Sequence, residues 1–235
     1  MAGQETNLKK NFDSSASQPR RLPVYFLLDV SASMRGEPVR LAVTHIHRLR
    51  EQLQASSTVR FPIYATVIAY NETAVQLCPL LPCSMTQPPD LSFCATAAAG
   101  ATLIPAALTR LQTSLATELV RWGKADGDSK PVVVFLTDGG CLNSTDTDYT
   151  VNARLQVLAN CTTIVVRLVP PSEDTCLINL LGTRVDYKEA KGLDDALNYL
   201  EREVQRFQHE RQRPICYPTA YTSTTPASGP ANFNP

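Results

Sequence analysis

Apolar and polar positions along this chain fall into two alternating rhythms. Short unbroken apolar runs, Val24–Leu28 and Val132–Leu136 above all, read as strands buried on both faces. Between such runs the apolar positions recur at three- and four-residue steps. Val39, Val43, Ile46, Leu49 and Leu53 mark a helix over Glu37–Gln54, with Pro38 in its first turn. Val59–Tyr70 predicts a second strand, and the turn Asn71-Glu72-Thr73 leads into a third, Ala74–Cys78. Pro79–Ala99, with four prolines, reads as a loop. Helical spacing returns over Leu103–Trp122, Asp148–Ala159, Cys176–Leu181 and Leu193–Arg206, with strands expected at Thr163–Val169 and Val185–Tyr187.

Strands that alternate with helices imply right-handed crossovers, hence a doubly wound α/β domain with a mostly parallel sheet and helices on both faces. The hairpin at Asn71 puts one antiparallel strand at an edge. Residues 1–20 are polar and rich in Ser, Gln and Asn, and are expected to be a flexible arm. Residues 21–210 form the domain, and the Pro/Thr/Ser-rich residues 211–235 are expected to be a disordered tail.

Composition narrows the function classes. Lys plus Arg equals Asp plus Glu, 22 each, so no global charge favours nucleic acid or an anionic membrane. No apolar stretch is long enough to span a bilayer, and the N-terminus lacks the apolar core of a signal peptide. The seven cysteines form no C-x-x-C pair and suit free thiols in a reducing cytoplasm. His45, His47 and His209 stand at no zinc-like spacing from them; His45 and His47 are expected at the solvent boundary, and Arg48, Arg50 and Arg60 on a solvated face. Trp122 reads as a packing anchor. Hydrolase, phosphate-loop and dinucleotide signatures are missing from the sequence.

The chemistry concentrates in three segments at strand ends or helix starts, where such sheets bind ligands. Asp29-Val30-Ser31-Ala32-Ser33 follows the first strand, Gly100-Ala101-Thr102 starts a helix, and Thr137-Asp138-Gly139-Gly140 follows Val132–Leu136. Residues 29, 31 and 33 are two apart, so in an extended turn they point to one side. Carboxylates and hydroxyls together are hard oxygen ligands, suited to Mg²⁺ or Mn²⁺. If both Asp29 and Asp138 touched the ion, its charge would be cancelled. If one acts only through water, the ion stays net positive with an open position that favours an incoming carboxylate. Simple N-capping by Asp29, Ser31 and Ser33, or by Thr102, is the competing explanation, as is turn chemistry for Asp138.

FLLDVSASM, GATLIPAAL and VVVFLTDGG resemble the three segments of the von Willebrand factor type A (VWA) domain and its metal-ion-dependent adhesion site, or MIDAS. The resemblance covers about residues 22–207. It implies Asp29, Ser31, Ser33, Thr102 and Asp138 as ligands of Mg²⁺ (or Mn²⁺ or Ca²⁺). It also implies a six-stranded sheet in the order 3-2-1-4-5-6 with strand three antiparallel. LPVYFLLDVSASMRGEPV, QPPDL and LVRWGKADGDSKPVVVFLTDGG resemble the TerY-like, tellurite-resistance branch of that family. That narrower likeness implies a cytoplasmic bacterial stress-response protein, with a Ser/Thr kinase or a PP2C-type phosphatase as partner. Gly140 and Cys141 depart from the family pattern, and the tail, with Cys216 alone, cannot form a zinc ribbon.

A non-enzymatic module that binds an acidic residue of a partner is therefore expected. An Mg²⁺-dependent phosphoryl-transfer enzyme with Asp29 as nucleophile is the alternative, although it would want a second carboxylate where Ser31 stands. A scaffold with a vacant metal site is the third reading.

Overall fold

A computed structural model describes residues 20–85, 89–119, 127–139, 155–168, 181 and 185–212. Residues 1–19 of the expected arm, 213–235 of the expected tail, Trp122, and most of the expected helices Asp148–Ala159 and Cys176–Leu181 lie outside them, while residues 211 and 212, expected in the tail, continue the last helix. Of those two helices, residues 155–159 and Leu181 are described, and they are helical.

The strands are β1 (Leu22–Asp29), β2 (Ile63–Tyr70), β3 (Ala74–Gln76), β4 (Leu81–Pro82), β5 (Val132–Thr137), β6 (Thr162–Arg167) and β7 (Tyr187–Ala190). They form one sheet in the order β3-β2-β1-β5-β6-β7, with β4 also paired to β2. β3 and β4 run antiparallel to β2, and the other pairs are parallel. This is the expected VWA-type order, enlarged by the two-residue β4. A two-residue strand that includes Pro82 has no readable period, which is why a loop was expected there.

All eight positions of β1 are buried. Its even positions Leu22, Val24, Phe26 and Leu28 meet helices α1 (Glu37–Ser56) and α4 (Leu193–Gln212) on one face. Its odd positions Tyr25 and Leu27 meet α3 (Ile104–Glu118) on the other. A strand covered on both sides needs no polar alternation, hence its unbroken apolar run. A short helix, α2 (Cys94–Ala97), interrupts the expected loop before α3. β7 sits two residues later than expected. It is an edge strand with Lys188 exposed, and its period is that of a half-wet surface.

Two expectations about α1 are corrected. His45 is buried, its Nδ1 without a hydrogen-bond partner among the described residues, and Arg50 is buried rather than solvated. Position 45 lies three residues after Ala42 and four before Leu49, and position 50 lies four after Ile46 and three before Leu53. Both therefore fall on the covered face. Among the described residues no helix is long and apolar enough to cross a membrane.

Candidate metal centre

The period of a strand decides what meets at the carboxyl ends of β2, β1 and β5. Side chains two apart share a face, so Asp29 follows Tyr25 and Leu27, Tyr70 follows Ile68, and Thr137 follows Val133 and Phe135. Asp29 pairs with Tyr70 across the β1–β2 register, and Thr137 stands one residue past the Leu28–Leu136 pair. A carboxylate, a phenol and a hydroxyl thus end the same face of three adjacent strands.

Asp29 is fully buried. Its Oδ1 accepts the Ser31 amide at 2.9 Å, and its Oδ2 accepts the Thr137 hydroxyl at 2.8 Å. Burial pushes its carboxyl up to about 6; the bonds from Ser31 and Thr137 pull the other way, and the like charge of Asp138 adds to the rise. Among the described residues no Lys or Arg pairs with Asp29. The described groups that hold the charge are dipoles, a poor substitute for a cation.

Ser31 is buried and Ser33 exposed, with their hydroxyl oxygens 3.1 Å apart. Residues Ala32–Met34 form a 3₁₀ turn rather than the extended turn expected, yet the two hydroxyls still meet. The capping explanation fails for this segment: the residue that precedes α1 is Gly36, and no side chain caps the helix. It fails for Thr102 as well. Leu103 occupies the N-cap of α3 and makes no side-chain cap bond, while Thr102 is buried.

The second segment is laced to the first. Ala99 N–H donates to Val30 O at 2.9 Å, and Ala32 N–H donates to Gly100 O at 2.9 Å. The turn after β2 clamps it from the other side. The Asn71 side chain donates to Ala99 O at 2.9 Å, Leu103 N–H donates to Asn71 O at 3.0 Å, and Ala101 N–H donates to Glu72 Oε1 at 3.2 Å. Gly100 takes φ +77, a left-handed conformation, and a Cβ there would stand 3.2 Å from the Glu72 carboxylate. The third segment turns at Gly139, φ 93, whose amide donates to Thr137 Oγ1 at 3.1 Å. That turn leaves Asp138 half-buried beside Asp29.

The structure thus brings Asp29, Ser31 and Ser33 into one bonded cluster. It sets Asp138 next to Asp29 through Thr137, and it ties the Thr102 segment to Val30 and Ala32 by backbone bonds. Sequence reasoning named these segments but missed Tyr70, Asn71, Glu72 and the bonding role of Thr137. For Thr137 a signal existed: on a parallel neighbour of β1 it stands just past the register position of Leu28.

The candidate donors are two carboxylates, Asp29 and Asp138, and three hydroxyls, Ser31, Ser33 and Thr102. Among the described residues no three His, Cys, Asp or Glu side chains gather into a metal-binding group, so a zinc-type cage is not formed by them. The oxygens present fit a hard divalent cation that keeps some of its water.

No protein-family model matches the chain, and no curated protein matches it. Solved structures do. The PilB minor pilin from Streptococcus sanguinis is similar at 11% identity over 86% of this chain and 65% of the pilin, with a TM-score of 0.57. The pilus adhesin SpaC from Lactobacillus rhamnosus GG is similar at 11% identity over 80% of this chain and 30% of the adhesin, with a TM-score of 0.53. A von Willebrand factor type A protein from Catenulispora acidiphila matches at 16% identity over 80% of this chain and 43% of that protein, with a TM-score of 0.49. This chain spans less than two thirds of each, and at 11% identity the likeness to the pilin and the adhesin is one of fold.

Proposed function

We propose that this protein is a non-enzymatic, metal-dependent protein-binding module. In this reading Asp29, Ser31, Ser33, Thr102 and Asp138 hold one Mg²⁺ or Mn²⁺, directly or through water, and an Asp or Glu of a partner completes the ion's coordination. The observation that carries the reading is the fully buried Asp29, engaged on both oxygens yet, among the described residues, paired with no Lys or Arg. A divalent ion bound there would supply the charge that offsets its burial. With no more than one of Asp29 and Asp138 bound directly, the other through water, and neutral hydroxyls completing the set, the ion would keep net positive charge and remain attractive to an external carboxylate.

The phosphoryl-transfer alternative finds less support. A nucleophilic carboxylate must be reached by substrate, whereas Asp29 is fully buried with both oxygens hydrogen-bonded. Lys130 precedes β5 and so sits at the opposite end of the sheet from the site.

The finer reading is a cytoplasmic, TerY-like role in a bacterial stress response or tellurite-resistance system, with a Ser/Thr kinase or PP2C-type phosphatase as partner. It rests on the sequence resemblance. The unbridged thiols of Cys78, Cys83, Cys94 and Cys161 are compatible with a reducing compartment.

Titration of the full chain with Mn²⁺ tests the module reading. One saturable equivalent is expected in the wild type and none in Asp29→Ala. Turnover of a generic phosphate ester that disappears in Asp29→Ala would favour the enzyme instead.

A further inference from the structure

Tyr70 is a phenol where a phenylalanine would pack as well. Its ring is fully buried among Leu27, Ile68, Phe135 and Ile104 on the α3 face of the sheet. Among the described residues its hydroxyl has no hydrogen-bond partner. A buried, unpaired hydroxyl costs about 1–3 kcal/mol, so packing alone does not account for it. The register sets Tyr70 beside Asp29 with the same face up. Adjacent strands lie about 4.8 Å apart, and a tyrosine is long enough to reach from β2 across β1 towards β5.

At the far end of that reach is Thr137. Its Oγ1 spends its single proton on Asp29 Oδ2 at 2.8 Å and accepts the Gly139 amide at 3.1 Å. A hydroxyl oxygen has two acceptor sites, so one remains open. A phenol is protonated at neutral pH, so Tyr70 is a donor on the same face of the sheet as that open acceptor.

We propose that Tyr70 is a positioning residue of the metal site: its hydroxyl donates to Thr137 Oγ1 and completes a relay, Tyr70 to Thr137 to Asp29, that orients the Asp29 carboxylate for a divalent cation. The inference rests on the metal-binding reading above. Tyr70 itself does not touch the ion. Each bond in such a chain polarises the next, so the Thr137 bond to Asp29 strengthens as the phenol closes on it. The relay also joins β2, β1 and β5, so the carboxylate is fixed from both neighbouring strands.

The test is an Mn²⁺ titration of four full-length proteins: wild type, Tyr70→Phe, Thr137→Val and the double variant. Tyr70→Phe keeps the ring and removes only the hydroxyl. It is expected to weaken Mn²⁺ binding about fivefold, the effect of one hydrogen bond, while melting in EDTA no lower than the wild type. In the Thr137→Val background the same change is expected to have no further effect. Mn²⁺ should also produce a tyrosine ultraviolet difference signal in the wild type that is missing from Tyr70→Phe. The cycle isolates the Tyr70–Thr137 coupling even if a single variant loses stability. Zero coupling, or equal affinity in wild type and Tyr70→Phe, overturns the relay and leaves the metal site standing. A wild type that takes up no Mn²⁺ overturns both.

Discussion

Thr137 Oγ1 donates to Asp29 Oδ2 at 2.8 Å, a bond between the carboxyl ends of adjacent parallel strands. Those residues are 108 positions apart in the chain, and the bond exists only because two strands of one period end level. It makes the first and third loops one unit. It also puts a buried carboxylate under the control of groups that favour its charged form without neutralising it.

That balance predicts an unusual pH response. The Asp29 carboxyl is raised from 3.8 to about 6 in the folded chain, chiefly by burial. A group raised on folding stabilises fully below its unfolded pKa, and the contribution is lost as pH climbs through the folded value. Without metal, the protein should lose on the order of 3 kcal/mol between pH 4 and pH 7 through this residue. Asp29→Asn should not show that loss and should melt higher than wild type at pH 7.5 in EDTA. Excess Mg²⁺ should reverse the order by stabilising the wild type alone. Urea melts across pH with both proteins check it; parallel curves would contradict it.

Gly100→Ala should loosen the second loop. Its φ of +77 costs an L-residue about 1–2 kcal/mol, and the new Cβ would press on the Glu72 carboxylate at 3.2 Å. Glu72 also accepts the Ala101 amide, so the strain falls on the residue before Thr102. The expected result is a stability loss of about 1–2 kcal/mol together with weaker Mn²⁺ binding. A destabilised variant with wild-type affinity would separate Thr102 from the site.

A change at the opposite end of the sheet should cost stability and leave metal binding alone. Arg21 holds Asp128 through Nε at 2.8 Å and Nη2 at 2.5 Å, and it also donates to Glu118 O at 2.8 Å. The Asp128 side chain is 3% exposed and that of Arg21 17%, so the pair is shielded from solvent screening. Asp128→Ala leaves the guanidinium without its carboxylate and should cost on the order of 3 kcal/mol. Because this pair precedes β1 and β5, Mn²⁺ affinity should not change; paired denaturation and titration curves give both numbers.

Thiol chemistry follows from burial. Cys83 and Cys94 are pushed up to about 11 and Cys161 to about 12, each mainly by desolvation. At pH 7.5 the native thiols should be alkylated at least about a hundredfold more slowly than in denaturant, since only the thiolate reacts. Iodoacetamide labelling followed by peptide mass spectrometry reads each site. Fast native labelling of Cys83 or Cys161 would contradict the packing described.

Where sequence reading succeeded, a single period governed the residues. β1 and β5 are covered on both faces and show it as unbroken apolar runs, and α1 and α3 show their stripes. The Asp-x-Ser-x-Ser segment was legible because three polar side chains follow a strand that has no other reason to be polar. The missed parts depend on proximity across the chain. Tyr70 looks like the last apolar residue of β2 until β1 lies beside it. Asn71 and Glu72 look like turn residues until the Gly100 segment packs against them. His45 and Arg50 are polar by type, and only the facing helix and sheet decide that they are covered.

The most direct measurement is a crystal structure grown with Mn²⁺, read by anomalous scattering. The account predicts one peak about 2.1–2.3 Å from the hydroxyls of Ser31 and Ser33, with Thr102, Asp29 and Asp138 around it directly or through water. It also predicts a coordination position open to an outside carboxylate. Saturating Mn²⁺ with no peak between these three loops, or an ion whose every ligand comes from this chain, would contradict it.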